Sequence, residues 1–326
     1  VVNSPTHPNQ NQWYANNDPS FVWSASDISG ISGYSYEFDQ NPSTIPDDTS
    51  EGTATSKDYI DAADGTWYFH VKAQNGIGLW GDTAHYRINI DTSAPGAPVV
   101  NSPTHPDQAT WYSNNDPSFN WSASDISGIT GYSYLLDQNP GTIPDDGSEG
   151  TGTSINYSDV AEGTWYFHVK AQNGSGLWGD IAHYRINIDT SAPGAPVVNS
   201  PTHPNQDVWY NNNDPSFNWS VSDISGITGY SYLMDQNIGT IPDNTSEGTG
   251  TSINYTDVVE GTWYFHVKAQ NGSGLWGETA HYRINIDVSG PEAPVVNSPT
   301  HPDQGTWYNN NDPSFIWSAS DISGIT

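Results

Sequence analysis

The stretch EGTWYFHVKAQNGSGLWG at residues 162–179, together with AHYRINID at residues 182–189, decides the fold of this chain. Apolar and polar side chains alternate along both stretches, and this period of two predicts β-strands with one buried face. The faces predicted to be buried carry Trp165, Phe167, Val169 and Ala171 in the first strand and Tyr184, Ile186 and Ile188 in the second. The faces predicted to point outward carry Tyr166, His168, Lys170, His183 and Arg185.

Shorter alternating stretches precede these two strands and are separated by Gly, Pro, Asn and Asp, the residues that favour turns. Together they predict strands at residues 97–101, 118–124, 131–138, 153–157, 164–172 and 182–189. About seven short strands in about 98 residues, without helical periodicity, are typical of a β-sandwich. The sequence therefore predicts an all-β fold.

This strand pattern repeats every 98 residues without insertion or deletion. Residues 99–196 and 197–294 differ at 16 positions and agree at 82, so one module has been copied in tandem. The repeat predicts three modules at residues 1–98, 99–196 and 197–294 and a partial fourth at residues 295–326. Because the last segment ends after its second apolar run, we expect the array to be longer than this sequence.

The composition restricts the class of partner. There are 37 acidic and 7 basic residues, for a formal net charge of −30. Such a surface repels nucleic-acid phosphates and anionic lipids and attracts cations. The chain has no cysteine, which excludes disulfides and thiolate metal sites, and it has no apolar run long enough for a membrane span.

Three motifs carry a family resemblance: WSASDISGITGYSY at residues 121–134, the stretch at 162–179, and AHYRINIDTSAP at residues 182–193. They resemble bacterial and archaeal immunoglobulin-like or fibronectin-type-III-like tandem repeats of large extracellular surface proteins. The resemblance implies an array of β-sandwiches arranged as beads on a string, located outside the cell or on its surface. Where relatives usually carry Asp-x-Ala-Gly-Asn in the loop between the last two strands, this chain has Asn173-Gly174-Ser175-Gly176, which removes one carboxylate.

The resemblance implies that two loops of each module, those after the strands equivalent to residues 118–124 and 164–172, meet the preceding module. They meet its last strand and the turn between its strands equivalent to residues 153–157 and 164–172. This placement gathers carboxylate and amide oxygens, which are ligands for Ca²⁺. The sequence predicts calcium sites formed by Asp64, Asp91, Asp125 and Asn173, by Glu162, Asp189, Asp223 and Asn271, and by Glu260, Asp287 and Asp321. The alternative is that these residues only form turns, because Asp side chains cap nearby backbone amides.

Most of the basic residues fall on the faces of the last two strands that are predicted to point outward. They are Lys72, Arg87, Lys170, Arg185, Lys268 and Arg283. A stripe of this kind could contact an acidic loop of a neighbouring chain, the one that follows the strand equivalent to residues 131–138. This loop carries Asp47, Asp48 and Glu51 or Asp145, Asp146 and Glu149. Alternatively, these cations pair within their own sheet, which contributes little when they are exposed.

The sequence does not support catalysis. His70, His85 and their copies have no serine or cysteine nucleophile in a recognisable motif nearby, so we expect no enzyme activity. Near-identical copies favour a structural shaft of an extracellular fibre or cell-surface stalk, rigidified by calcium, whose partners are further copies of the array. The alternative is a set of adhesin repeats that bind carbohydrate or a host protein. Neither hypothesis involves nucleic acid or a membrane span.

Overall fold

The computed structural model describes residues 1–325, and every regular element within that range is a β-strand. The prediction of tandem all-β sandwiches of the immunoglobulin-like and fibronectin-III-like type is confirmed. The chain divides into two compact units. One comprises Val1–Thr110 and Asn114–Asn187, and the other comprises Trp111–Ser113 and the residues from Ile188 onward.

Equivalent strands recur in each module. Residues 1–98 contain β1 (Val2–Asn3), β2 (Trp13–Tyr14), β3 (Ser20–Trp23), β4 (Ile31–Asp39), β5 (Ser56–Asp58), β6 (Gly65–Asn75) and β7 (Ala84–Ile90). Residues 99–196 contain β8 (Val99–Asn101), β9 (Trp111–Tyr112), β10 (Ser118–Ser122), β11 (Ile129–Asp137), β12 (Ser154–Asn156), β13 (Gly163–Asn173) and β14 (Ala182–Ile188).

The remaining strands follow the same order. They are β15 (Val197–Asn199), β16 (Trp209–Tyr210), β17 (Ser216–Ser220), β18 (Ile227–Asp235), β19 (Ser252–Asn254), β20 (Gly261–Asn271), β21 (Ala280–Ile286), β22 (Val295–Asn297) and β23 (Ile316–Ser318).

Each full module pairs its strands into two sheets. In the first module, one sheet is antiparallel and consists of β1, β3 and β5, and the other sheet has the strand order β2-β7-β6-β4. The short strand β2 runs parallel to β7, whereas β6 pairs antiparallel with both of its neighbours. This split first strand and the two-sheet arrangement are features of immunoglobulin-like sandwiches. The third module repeats the arrangement with β15-β17-β19 and β16-β21-β20-β18.

Aromatic side chains fill the space between the two sheets. In the first module Phe21 and Phe69 are fully buried and stack at 4.4 Å with an interplanar angle of 9°. Trp23 packs against Phe69 from the same sheet as Phe21, and Ile88 and Ile90 complete the core from β7. Offset stacking of this kind adds about 0.5–1.5 kcal/mol per pair to the gain from burial. The alternating pattern therefore predicted the buried faces correctly.

A polar motif that the sequence analysis did not assign fixes the beginning of each module. The hydroxyl of Thr6 lies 2.8 Å from Nδ1 of His7 and accepts the Ser20 N–H at 2.9 Å. His7 Nε2 donates to the Asn16 carbonyl at 2.8 Å, because a carbonyl oxygen can only accept. The Tyr86 hydroxyl donates to the His7 carbonyl at 3.0 Å, which ties this segment to β7. The bonds recur at His105 and His203.

No helix in the described residues is long and apolar enough to cross a membrane.

Candidate functional site

The first module junction is built around a buried carboxylate at the end of β7. Asp91 is 0% exposed. The Nδ2 of Asn173, the last residue of β13, donates to Asp91 Oδ2 at 2.8 Å and to the carbonyl of Ser93 at 2.8 Å. One side chain of the second module thus holds both the last strand of the first module and the linker that follows it.

The orientation of the Asn173 amide is fixed by its other end. Its Oδ1 accepts the Leu177 N–H at 2.8 Å and the Ser175 hydroxyl at 3.0 Å. Because a backbone N–H can only donate, the oxygen faces the loop and the NH₂ group faces Asp91. In this arrangement the Asn173 oxygen is bound within its own loop, and the role of Asn173 as a calcium ligand stays a prediction. The requirements of the turn decide the orientation.

A second carboxylate of the predicted site, Asp125, lies beside Asp91. Its Oδ1 accepts the Ser127 N–H at 3.0 Å and the Ser127 hydroxyl at 2.8 Å. Burial raises the pKa of Asp91, and the adjacent Asp125 carboxyl adds to this rise. Burial also acts to raise the pKa of Asp125, but the hydrogen bonds from Ser127 and Asp91 outweigh it and lower this pKa. The two carboxyls therefore compete for one positive partner, either a proton or a cation.

Asp64, the third predicted carboxylate, is used elsewhere in the same junction. Its Oδ1 accepts the N–H and the hydroxyl of Thr92, both at 2.8 Å, and its Oδ2 accepts the Ser93 hydroxyl at 2.8 Å. Asp64 therefore caps the linker. The turn interpretation describes Asp64 and Asp125 well, since both bind backbone amides within their own turns or linker.

The linker also contacts the second module directly. The carbonyl of Pro95 accepts the Asp180 N–H at 3.1 Å. The adjacent residue is Gly179, and a Cβ atom at that position would collide with the Pro95 carbonyl. A residue without a side chain is therefore required where the linker crosses the start of the last strand. In the first module the equivalent Gly81 has no such neighbour, and a Cβ there would meet only the Ala73 carbonyl at 3.6 Å.

The second predicted set repeats these contacts within the second unit. Asn271 Nδ2 donates to Asp189 Oδ2 and to the Ser191 carbonyl, both at 2.8 Å. Asp223 accepts the Ser225 N–H at 3.0 Å, as Asp125 accepts that of Ser127. Burial and the Asp223 carboxyl raise the pKa of Asp189, which is also 0% exposed. Glu162 belongs to the first unit.

The third predicted set is more open. Glu260, Glu292 and Asp321 line a cavity of about 250 Å³. The Oε2 atom of Glu260 is buried and has no hydrogen-bond partner among the described residues. At the position equivalent to Thr92 this junction has Val288, which lacks the hydroxyl that Asp64 binds. Asp287 lies close enough to Asp321 for a hydrogen bond between the carboxyls, which contributes to a lowered pKa of Asp321.

Across residues 1–325, no three His, Asp or Glu side chains are grouped closely enough to hold a metal ion as they stand. Of the predicted calcium ligands, the structure brings together Asp91, Asp125 and Asn173, and likewise their counterparts Asp189, Asp223 and Asn271. The calcium prediction itself is not tested by this geometry.

The lysines lie on the outer face of the sheet, but the prediction that they form an exposed stripe is wrong, because they are buried there. Lys72 and Lys170 are only 6% and 5% exposed. The Lys170 ammonium donates to Asp146 Oδ1 at 2.6 Å and lies 5.1 Å from the centre of the Trp178 ring. The cause is the loop between β11 and β12, which folds back over the outer face of its own sheet. Lys268 is likewise buried, with Asn244 as its partner.

The arginines also bind within their own modules. Arg87 Nε donates to the Gln10 carbonyl at 2.9 Å, and Arg185 Nε donates to Asn187 Oδ1 at 3.0 Å. Arg283 donates to Asp207 and, at 2.8 Å, to the Gln206 carbonyl. The alternative of pairing within the module thus describes the basic residues better than a free stripe. Lateral contact between chains remains a prediction.

The histidines of the same faces form a pair that the sequence analysis had placed outward. His70 and His85 are direct cross-strand partners on β6 and β7, and their Nδ1 atoms lie 2.6 Å apart. His70 is 0% exposed, whereas His85 is exposed. The pairs His168–His183 and His266–His281 have the same separation. Both histidines of each pair therefore share the outer face of the sheet, but one is buried there and the other is exposed.

No protein family and no curated protein matches the sequence. The solved structures it resembles include fibronectin(III)-like modules of CbhA from Clostridium thermocellum, at 16% identity, 58% coverage of this chain, 94% of that chain and a TM-score of 0.28.

Two further solved structures are tandem arrays. The FN1-FN3 domains of chicken CNTN1 share 15% identity over 87% of this chain and 97% of that chain, with a TM-score of 0.28. A tetra-tandem repeat in the extending region of a large adhesion protein shares 14% identity over 99% of this chain and 88% of that chain, with a TM-score of 0.36. The predicted resemblance to immunoglobulin-like and fibronectin-III-like tandem repeats is confirmed.

Proposed function

We propose that this chain is part of the structural shaft of an extracellular fibre or cell-surface stalk and has no catalytic role. The observation that carries the proposal is the Asn173 contact with Asp91 and Ser93, which recurs at Asn271 with Asp189 and Ser191. In both cases the bonding atoms are buried or partly buried. A contact copied with the module is what an array needs to keep a constant angle at every joint.

The energetics favour a stiff joint. A hydrogen bond from an amide to a charged carboxylate contributes about 1.5–3 kcal/mol when buried. Bending at the first junction would break the two Asn173 bonds and the bond from Asp180 to Pro95. The linker is already restricted because Pro95 and Pro98 fix their own backbone φ angles. The proposed shaft therefore resists bending through polar contacts that every module brings with it.

Calcium is proposed to complete the joint at the third junction. The buried Oε2 atom of Glu260 has no hydrogen-bond partner within the described range, and a hydrogen-bond donor or a cation would stabilise it. Asp321 and Glu292 line the same cavity, and carboxylates are the preferred ligands of Ca²⁺. At the first two junctions the Asn NH₂ group already neutralises part of this charge, so calcium would have to compete with it.

The calcium proposal is tested by thermal unfolding of the native chain and of Glu260→Gln, each in chelator and in Ca²⁺. Calcium should raise the melting temperature of the native chain and should raise that of the variant less, because one charged ligand is lost. Asp64→Asn is the matched control, since Asp64 is occupied by linker hydrogen bonds. Equal calcium responses in all three proteins would overturn the calcium proposal without affecting the shaft.

The shaft proposal is tested by electron microscopy of the native material. We expect thin fibres with an axial repeat of one module, on the order of 35–45 Å, the length of a sandwich of short strands plus a linker. A globular particle of packed modules without axial periodicity would overturn the proposal. It would favour the alternative of adhesin repeats that bind carbohydrate or a host protein.

A further inference from the structure

The paired histidines of each full module are arranged differently from ordinary surface histidines. His70 Nε2 lies 3.3 Å from Asp39 Oδ1. Asp39 is itself held by the Asn41 N–H at 2.9 Å and the Thr44 hydroxyl at 2.6 Å. Because these bonds lower the pKa of Asp39 despite its partial burial, the carboxylate is an acceptor at neutral pH.

This contact fixes the tautomer of the buried imidazole. A carboxylate can only accept, so the proton of neutral His70 is on Nε2 and its Nδ1 carries a lone pair directed at His85. Metal-binding imidazoles usually donate the N–H of their second ring nitrogen to a carboxylate in this way, which orients the ring. In the metal-free protein the Nδ1–H of His85 donates a hydrogen bond to the Nδ1 lone pair of His70.

We infer that each His–His pair, supported by its Asp, is a binding site for one late first-row transition-metal ion, with Cu²⁺ the best fit. The sites are His70–His85, His168–His183 and His266–His281, supported by Asp39, Asp137 and Asp235. The ion replaces the proton shared between the two Nδ1 atoms. Copper binds imidazole nitrogen strongly, whereas Ca²⁺, which is expected at the carboxylates, prefers oxygen ligands.

The distances suit this exchange. Bonds from imidazole nitrogen to such ions are about 2.0–2.1 Å, so two nitrogens on one ion lie roughly 2.9–3.3 Å apart. The observed 2.6 Å separation needs to widen by only a few tenths of an ångström. The buried ring is held by Asp39 while the exposed ring of His85 can move, which also gives the ion a path from solvent.

Nearby cations do not block the site. Lys72 is two residues further along the same face of β6, but its ammonium is paired with Asp48. Arg87 is two residues along β7 from His85, and its guanidinium donates to Gln10 and Asn11. Tyr68 stacks on His70 with the ring centres 6.2 Å apart, whereas the Nδ1 atom of His70 contacts His85.

The first module carries one additional carboxylate. Glu37 is the cross-strand partner of His70, so Glu37, His70 and His85 form one row across β4, β6 and β7. In the other modules this position is Leu135 or Leu233. Cross-strand side chains are within reach of each other, so Glu37 can turn toward an ion held by the pair. The first site should therefore bind metal more tightly than the other two.

The test is a titration of the native chain with CuCl₂ in a large excess of MgCl₂, which occupies the acidic surface. Electron paramagnetic resonance and tryptophan fluorescence should show three equivalents of copper with nitrogen ligands. The variant with His85→Gln, His183→Gln and His281→Gln should lose all three. The variant with Arg87→Gln, Arg185→Gln and Arg283→Gln, changed at neighbouring positions of the same strand face, should retain them.

Single substitutions keep the test decisive if the triple variant does not fold. His183→Gln should remove one equivalent of three, and Asp137→Asn should weaken one site about 10- to 100-fold. Glu37→Leu should make the three sites equal in affinity. Copper binding of unchanged stoichiometry in the His→Gln variants, or no nitrogen-ligated copper in the native chain, would overturn the proposal.

Discussion

The first and third junctions use corresponding acidic residues in different ways. At the first, Asn173 donates to Asp91, and Asp64 is satisfied by Thr92 and Ser93. At the third, Glu260 stands where Asp64 does, its buried Oε2 atom has no hydrogen-bond partner among residues 1–325, and the acids line a cavity. Acidic residues therefore do not define a cation site by themselves. The donors around them decide whether hydrogen bonds suffice or an ion is needed.

The largest effect is expected from replacing the hydrogen-bond donor of the first junction with another carboxylate, which makes it resemble the third junction. Asn173→Asp replaces the donor with a third carboxylate beside Asp91 and Asp125. In chelator this should destabilise the second module by about 3–5 kcal/mol, as for other buried charges that lose their partner. Calcium should restore most of the loss, because three carboxylates then share one ion. Urea unfolding followed by tryptophan fluorescence measures both effects.

Asn75→Asp is the matched control for this substitution. Asn75 holds the same loop of the first module, where its Oδ1 accepts the Leu79 N–H at 3.0 Å, and no hydrogen bond among residues 1–325 joins it to a linker. The control should show the cost to the loop without the cost to the junction. An equal loss in both variants would mean that the Asn173 contact with Asp91 does not stabilise the junction.

A smaller effect is expected from opening the linker contact without changing any charge. Gly179→Ala places a Cβ against the Pro95 carbonyl and should cost about 1–3 kcal/mol, as overpacking does elsewhere. Hydrogen exchange of the Asp180 amide should accelerate, because its bond to Pro95 is lost. Gly81→Ala should leave the equivalent Asp82 amide unaffected. Unchanged exchange at Asp180 would contradict the assigned linker contact.

The dependence of stability on pH should report on a buried histidine inside a module, away from the junctions. Burial lowers the pKa of His105 below its usual 6.5, so the unfolded chain takes up a proton that the folded module excludes. The contribution of His105 is complete above pH 6.5 and is lost as the pH falls below it, by up to about 1.4 kcal/mol per pH unit. His105→Gln should flatten this part of the curve of urea midpoint against pH. A curve as steep as that of the native chain would contradict the assignment.

The smallest effect is expected at the lysines. Asp146→Asn gives the second module the Lys–Asn contact of the third, and Asn244→Asp does the reverse. Because the Asp146 side chain is 75% exposed, each change should alter the unfolding free energy by less than about 1 kcal/mol. Opposite signs for the two substitutions in salt-free buffer would confirm that the pair is attractive. Equal signs would contradict it.

Much of the fold could be predicted from the sequence, because long alternating strands such as β13 and β14 determine their own buried faces. The two-residue strand β2 could not be predicted, since a period of two cannot be seen in Trp13–Tyr14 alone. The outer faces were misjudged for a different reason. The Pro- and Gly-rich composition of the loop at residues 139–149 indicates a turn, but it does not show that the loop returns to cover Lys170.

The candidate site was predictable in position and less so in chemistry. Topology alone brings the loop of Asn173 to the strand end of Asp91, and the structure places them together. The direction of the amide depends on the Leu177 N–H, which no sequence pattern reports. The histidine pairs had a signal, because His70 and His85 recur on adjacent strands in every module. Their register across the two strands becomes visible only in the folded sheet.

The most direct test of the shaft is small-angle X-ray scattering of the native chain beside the variant with Asn173→Ala and Asn271→Ala. If these residues hold the joints, the variant should show a shorter average maximum dimension and a broader distribution of distances than the native chain. Asn75→Ala, which removes the same side chain from a loop without a joint, should scatter as the native chain does. Identical scattering from all three proteins would contradict the claim that these contacts stiffen the array.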